Sequence, residues 1–248
     1  MEPEPFVAAG YAVLLPDPAI STGYGQSMID RGQHELGGAP FTDIMALTDA
    51  TVARADIDAE RTAFAGGSYG GYMANWVAGG HTGDRFRCIV THASLWDTDS
   101  MGRTTDNSGW ERPMREQNRR FNPRDFVGDI VVPMLVIHGD KDYRVPISQG
   151  HALWYDLHEF SATPPRDAEG RTQHRYLYFP PDEATGSSAA ATPRSGMRPS
   201  SASSTSTSAA RTGQHPQPSA DQRLRAGSGL TGSGRADRAG GVVSAIGS

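Results

Sequence analysis

The sequence predicts an α/β protein with a mostly parallel β-sheet, helices on both faces, and a disordered tail. Short apolar segments typical of buried strands alternate with longer segments whose apolar residues recur at helical spacing. From Ala184 onward this alternation stops, and Ser, Ala, Thr, Gly, Arg and Pro dominate. Such a composition buries too little apolar surface to offset the entropy of ordering. We therefore divide the chain into a folded domain over 1–183 and a low-complexity disordered tail over 184–248.

Five segments are predicted as strands because they are short, apolar and bounded by turn residues: 11–15, 61–65, 86–92, 133–138 and 175–179. Three segments are predicted as helices: 43–55, 72–78 and 147–160. Thr42 or Asp43 is the expected cap of the first helix. The charged region 94–124 shows no regular period and is predicted to be irregular.

The predicted strand at 61–65 runs into Gly66-Gly67-Ser68-Tyr69-Gly70, which fits the pattern G-x-S-x-G. A strand that turns sharply into a helix holds its central serine hydroxyl clear of the sheet. The backbone N–H of Tyr69 and the helix N-terminus then face an oxyanion. This context favours Ser68 as a nucleophile. The alternative is a glycine-rich turn that happens to contain serine.

The composition excludes several classes of function. The net charge is −5, and the arginines gathered after Ala184 leave the preceding domain more acidic still, which argues against nucleic acid as the main partner. The single Cys88 excludes an internal disulfide and a cysteine-rich metal site. No stretch is long and apolar enough to span a membrane, and residues 1–5 lack a signal-type pattern, so a cytoplasmic chain is the default expectation.

Four motifs occur in the order found in the prolyl oligopeptidase family of serine peptidases. They are Ser21-Thr-Gly-Tyr-Gly25, Gly66-Gly-Ser-Tyr-Gly-Gly-Tyr72, Ile137-His-Gly139 with Asp142 and Val145, and Tyr178-Phe-Pro180. Over residues 6–183 the chain resembles this family, and within it most closely the acylaminoacyl-peptidase and dipeptidyl-peptidase-like branches.

The resemblance implies an α/β-hydrolase domain that cleaves peptides through an acyl-enzyme. It implies Ser68 as the nucleophile, Asp142 as the acid that orients a catalytic histidine, and the Tyr69 N–H as an oxyanion donor. Trp96 is expected either to line the pocket for the substrate side chain or to pack in the core. A peptide substrate is the expected partner. Neither a cofactor nor a metal is expected.

The sequence departs from the family at two places. The chain begins too late to contain the upstream loop that carries a second oxyanion donor in the family. The catalytic histidine should follow the last strand, yet Phe179-Pro-Pro-Asp-Glu183 runs on into Ala184-Thr185. Among the other histidines, His92 and His138 have local sequences that fit structural roles, and His174 is expected at the surface. We therefore expect impaired catalysis.

Two alternatives to a serine peptidase stay open. Another α/β-hydrolase, such as an esterase, would share Ser68 and the sheet, although the four motifs together argue against it. A non-enzymatic fragment with a basic tail belongs to a different class. The sequence does not indicate the oligomeric state.

Overall fold

The computed structural model describes residues 3–81, 85–107, 111–180 and 241–246. In these ranges the chain forms a six-stranded sheet in which all paired strands are parallel, as predicted. The strands in chain order are β1 (Ala12–Leu14), β2 (Asp58–Gly67), β3 (Cys88–His92), β4 (Met134–Gly139), β5 (Arg175–Phe179) and β6 (Gly241–Ile246). Their order across the sheet is β1-β6-β2-β3-β4-β5.

Seven α-helices lie in the described ranges. They are α1 (Glu4–Ala8), α2 (Gln26–Asp30), α3 (Ala39–Val52), α4 (Tyr69–Trp76), α5 (Thr98–Met101), α6 (Glu111–Arg120) and α7 (Ile147–Glu159). A π-helical segment, Val77–His81, follows α4, and a 3₁₀ segment, Pro123–Asp129, precedes β4. The predicted strand over 175–179 and the predicted helix over 147–160 agree with β5 and α7 almost residue for residue.

Helix α3 begins earlier than predicted. Its first turn contains Pro40, whose fixed φ and missing N–H suit the start of a helix. Neither Thr42 nor Asp43 is the cap. The Asp43 carboxylate instead accepts the Ala19 N–H at 2.9 Å and pairs with the Arg31 guanidinium. The sequence alone does not show these partners, because both belong to the preceding loop.

The region predicted as irregular contains α5 and α6. The single turn of α5 is capped by the Asp97 carboxylate, which accepts the N–H groups of Asp99 at 3.2 Å and Ser100 at 3.4 Å. Helix α6 has the sequence ERPMREQNRR, which is mostly charged or polar and contains no repeating apolar positions. Periodicity of apolar residues therefore gave no signal for it.

The sheet separates two groups of buried apolar side chains. Phe64 and Ala65 are consecutive residues of β2, so their side chains point to opposite faces. Phe64 belongs to the larger group, which includes Trp96 and residues of α3, α4 and α7. Ala65 belongs to a smaller group with Val243 of β6, against which Phe6 of α1 packs. Helices therefore contact both faces of the sheet, as predicted.

The prediction of a disordered tail is wrong for residues 241–246. These residues form β6, which is hydrogen-bonded between β1 and β2. Strand β1 pairs with β6 over Ala12–Leu14, so in the described part of the chain β6 links β1 to the rest of the sheet. The other residues of the predicted tail lie outside the described ranges.

Two features fix the register of β6. A Cβ on Gly241 would lie 1.8 Å from the Arg61 carbonyl oxygen, so only glycine fits there. The fully buried Ser244 hydroxyl lies 3.5 Å from the Thr48 hydroxyl of α3. A shift by one residue would turn Ser244 and Val243 to the wrong faces. The strand is therefore held by its own side chains as well as by its backbone.

Candidate active site

Ser68 lies in the sharp turn between β2 and α4. Its backbone has φ 55° and ψ −118°, a conformation that residues other than glycine rarely adopt. Two neighbouring glycines make the turn possible. A Cβ on Gly66 would lie 2.0 Å from the Gly70 carbonyl oxygen, and a Cβ on Gly71 would lie 2.5 Å from the Ser94 Cβ. The strained serine and its glycines form the expected strand-to-helix elbow.

Groups that can stabilise a negatively charged oxygen lie beside Ser68. Tyr69 is the first residue of α4, and in the described part of the chain its N–H has no hydrogen-bond acceptor. The helix dipole adds partial positive charge at the same end. The side chain of Tyr69 is fixed by its hydroxyl, which donates to the Leu36 carbonyl oxygen at 2.8 Å. Burial raises the pKa of this hydroxyl.

Asp142 follows β4 and is 6% exposed. Its Oδ1 accepts the N–H groups of Arg144 at 3.1 Å and Val145 at 2.9 Å. The Val145 carbonyl oxygen in turn accepts a hydrogen bond from Nε2 of the buried His138 at 2.8 Å. The turn is thus fixed from two sides. It keeps an ionisable carboxyl group at the carboxyl edge of the sheet.

Strand pairing brings Ser68 and Asp142 to the same edge. In the parallel register, Gly67 of β2 pairs with His92 of β3, and His92 pairs with Ile137 of β4. Ser68 follows Gly67 directly, and its N–H donates to the His92 carbonyl oxygen at 3.0 Å. His92 therefore lies on the strand between the predicted nucleophile and the predicted acid. Sequence reasoning had assigned it a structural role.

Four other described histidines lie elsewhere. His138 is fully buried below the Asp142 turn. His174 precedes β5 and is 1% exposed, with its Nδ1 accepting the Met134 N–H at 3.3 Å, so the expectation of a surface residue is wrong. His151 and His158 are exposed on α7. The residues that follow Pro180, where the family resemblance places a catalytic histidine, lie outside the described ranges.

Trp96 is fully buried in the core. Its indole N–H donates to Oδ2 of Asp156 at 2.8 Å, and Oδ2 also accepts from Nε of Arg124 at 3.1 Å. Of the two roles expected from the sequence, packing is the one that this position supports. A small apolar cavity instead lies beside Tyr69, and no sequence motif marked it. It is lined by Leu36, Tyr69, Tyr72, Leu95, Thr98, Gln117 and Phe121.

No group of three or more His, Cys, Asp or Glu residues in the described ranges could hold a metal ion. None of the described helices is long and apolar enough to cross a membrane.

The backbone strain at Ser68 gives a testable consequence for stability. Ser68→Gly should raise the free energy of unfolding by about 1 kcal/mol, because glycine adopts this φ and ψ freely. The matched control is Ser68→Ala, which keeps a Cβ and should show no such gain. Urea denaturation of the three proteins measures the difference. Equal stability of all three would contradict strain at this residue.

Comparison with known proteins gives a consistent result. A model of the prolyl oligopeptidase family matches residues 1–182. The chain is 34% identical over 169 residues to dipeptidyl-peptidase 5 of Aspergillus fumigatus, which covers 63% of this chain and 23% of that protein. It is 34% identical over 175 residues to dipeptidyl-peptidase 5 of Schizosaccharomyces pombe, covering 66% of this chain and 25% of that protein. The chain thus spans about a quarter of the length of these relatives.

Solved structures show the same fold. The acylaminoacyl peptidase of Pyrococcus horikoshii superposes with a TM-score of 0.57 at 23% identity, covering 65% of this chain and 26% of that one. A puromycin-hydrolyzing peptidase of Mycobacterium tuberculosis superposes with a TM-score of 0.56 at 23% identity, covering 66% of this chain and 24% of that one. At this level of identity the likeness supports the α/β-hydrolase fold alone.

Proposed function

Because the chain belongs to the prolyl oligopeptidase family, we propose that it is a serine peptidase domain that cleaves short peptides through an acyl-enzyme on Ser68. The observation that carries this proposal is the backbone of Ser68. A serine with φ 55° between a strand and a helix costs conformational energy, and it presents its hydroxyl at the edge where Asp142 also lies. A plain glycine-rich turn would not need a strained serine.

The chemistry follows from the groups at this edge. The Ser68 Oγ attacks the peptide carbonyl carbon, and its proton passes to a base. The carbonyl oxygen becomes an oxyanion, for which the Tyr69 N–H and the amino end of α4 supply hydrogen bonding and positive potential. Collapse of the intermediate breaks the C–N bond, and the proton goes to the leaving amine. Water then hydrolyses the ester on Ser68 and restores the hydroxyl.

The substrate class that we propose is a short peptide cleaved near its amino end. The relatives in sequence are dipeptidyl-peptidases, and a relative in fold is an acylaminoacyl peptidase. Both names describe release of a small unit from a peptide. The small apolar cavity described above is lined by the side chain of Tyr69, the residue that follows the proposed nucleophile in the chain.

We further propose that turnover is slow. The sequence from Phe179 to Thr185 contains no histidine. A serine without a well-held imidazole is a weak nucleophile, and loss of one triad member costs orders of magnitude in rate.

A substrate panel tests the proposed function. The full chain is given three chromogenic substrates: a dipeptidyl arylamide, an acetyl-aminoacyl arylamide and an aryl ester of the same acyl group. Cleavage of either arylamide at a low rate is the expected result. Cleavage of the ester alone would instead identify an esterase. Absence of cleavage, together with absence of covalent labelling by an organophosphonate, would support a non-enzymatic chain.

A further inference from the structure

His92 occupies a position that ties it to the proposed nucleophile. It is the last residue of β3, and its carbonyl oxygen accepts the Ser68 N–H at 3.0 Å. This bond couples the backbones of the two residues directly. Because Gly67 pairs with His92, the imidazole lies on the face of the sheet toward which a side chain at residue 67 would point.

The imidazole of His92 lies in van der Waals contact with the position that a Cβ at residue 67 would occupy. Its Nδ1 lies 3.5 Å from the point where a Cβ on Gly67 would be. The ring is half-buried, and in the described part of the chain neither ring nitrogen has a hydrogen-bond partner. An imidazole with two uncommitted nitrogens therefore lies against the residue that precedes Ser68.

Asp142 lies on the other side of His92. Strand β3 is flanked by β2, which leads to Ser68, and by β4, which leads to Asp142. Burial lowers the pKa of His92, and the Asp142 carboxylate acts in the opposite direction. The His138 imidazole of β4 is a further titratable group that interacts electrostatically with His92. Because the net direction is downward, the imidazole is neutral at pH 7 and can accept a proton.

Four other described histidines lack this combination of features. His138 donates from Nε2 to Val145 and is sealed in the core, and His174 lies at the opposite edge of the sheet, before β5 begins. The rings of His151 and His158 meet aromatic rings of β5 and α7 edge-on.

We propose that His92 is the general base for Ser68 in this chain. The inference rests on the function proposed above. When Ser68 attacks an acyl or phosphonyl centre, the new bond to Oγ forms, the Oγ–H bond breaks, and the proton moves to a free nitrogen of His92. The charge of Asp142 favours the imidazolium, which returns the proton to the leaving group. Asp142 makes no hydrogen bond to His92, which accounts for slow turnover.

The test is the rate at which an aryl organophosphonate labels Ser68 in the full chain. His92→Ala should lower this rate by about 10²-fold. Added imidazole should restore much of the loss, since a small base can enter the space left by the ring. His151→Ala, an exposed histidine on α7, is the matched control and should label at the wild-type rate. The wild-type rate should also rise with pH and reach its half-maximum below the ordinary histidine pKa of about 6.5.

Each outcome decides the matter. Labelling at the wild-type rate in His92→Ala overturns the role of His92 while the proposed function stands. A slow, folded His92→Ala that imidazole does not rescue shows a structural role and also overturns it. If His92→Ala does not fold, His92→Gln is used, and labelling at the wild-type rate overturns the role in the same way. Absence of any labelling that depends on Ser68 overturns both proposals.

Discussion

Replacing Ser68 with alanine should lower arylamide hydrolysis by at least about 10³-fold and abolish organophosphonate labelling. The physical reason is that Oγ is the atom that forms the covalent bond to the substrate, so no neighbouring group can take over its role. The turn that carries it should survive the change. Gly66 and Gly71 supply the space that the elbow needs, and neither is altered.

Ser27→Ala is the matched control, because Ser27 is an exposed serine in α2, far along the chain from the elbow. It should leave both activities unchanged. Mass spectrometry of the labelled wild-type protein should place the phosphonyl group on the peptide that contains Ser68. Label on a different residue, or hydrolysis that persists in Ser68→Ala, would rule out Ser68 as the nucleophile.

Val243→Asp should lower the free energy of unfolding by about 3 to 5 kcal/mol, since it buries a charge without a partner. Val243 is 3% exposed and packs with Ala65 and Ala245 in the smaller apolar group. The same change should release β1, because β1 pairs with β6 over its whole length. A single substitution in β6 is therefore expected to disorder β1 as well.

Two measurements check this. Urea denaturation gives the stability, and hydrogen exchange reports protection of the amides of Ala12–Leu14. Val131→Asp places the same charge at a residue that is 48% exposed and should change stability by less than about 0.5 kcal/mol. If the two variants are equally stable, or if exchange at β1 does not change, β6 does not hold the sheet together.

Much of the fold could be predicted because its signals are local. Strand β5 and helix α7 are short segments whose own residues determine their period, and both were predicted to within two residues. Strand β6 could not be found in this way. Gly241–Ile246 contains four apolar residues among glycine and serine, and its strand conformation depends on the two neighbours that it joins. Such pairing depends on residues far away in sequence.

The same distinction between local signals and distant pairing applies to the residues of the candidate site. Ser68 and Asp142 are each marked by the residues next to them, a glycine-rich elbow and a turn after a buried strand. His92 carries no such mark, since the sequence Thr91-His92-Ala93 fits the end of any strand. Its relevance comes from the register that pairs it with Gly67. The alternation of residues along a strand predicts which face of the sheet a side chain lies on. It does not predict which residue of the adjacent strand lies beside it.

The position of β6 has a consequence for synthesis on the ribosome. The two strands that flank it are made early, but β6 emerges only after residues 15–240 have been translated. Until then the inner edge of β2 presents unpaired backbone groups, and β1 has no neighbour among the strands already made. Contacts of such long sequence separation form slowly. Until β6 has been made, the position between β1 and β2 in the sheet of the nascent chain is therefore unfilled. We expect the chain to need protection by chaperones against edge-to-edge aggregation during this interval.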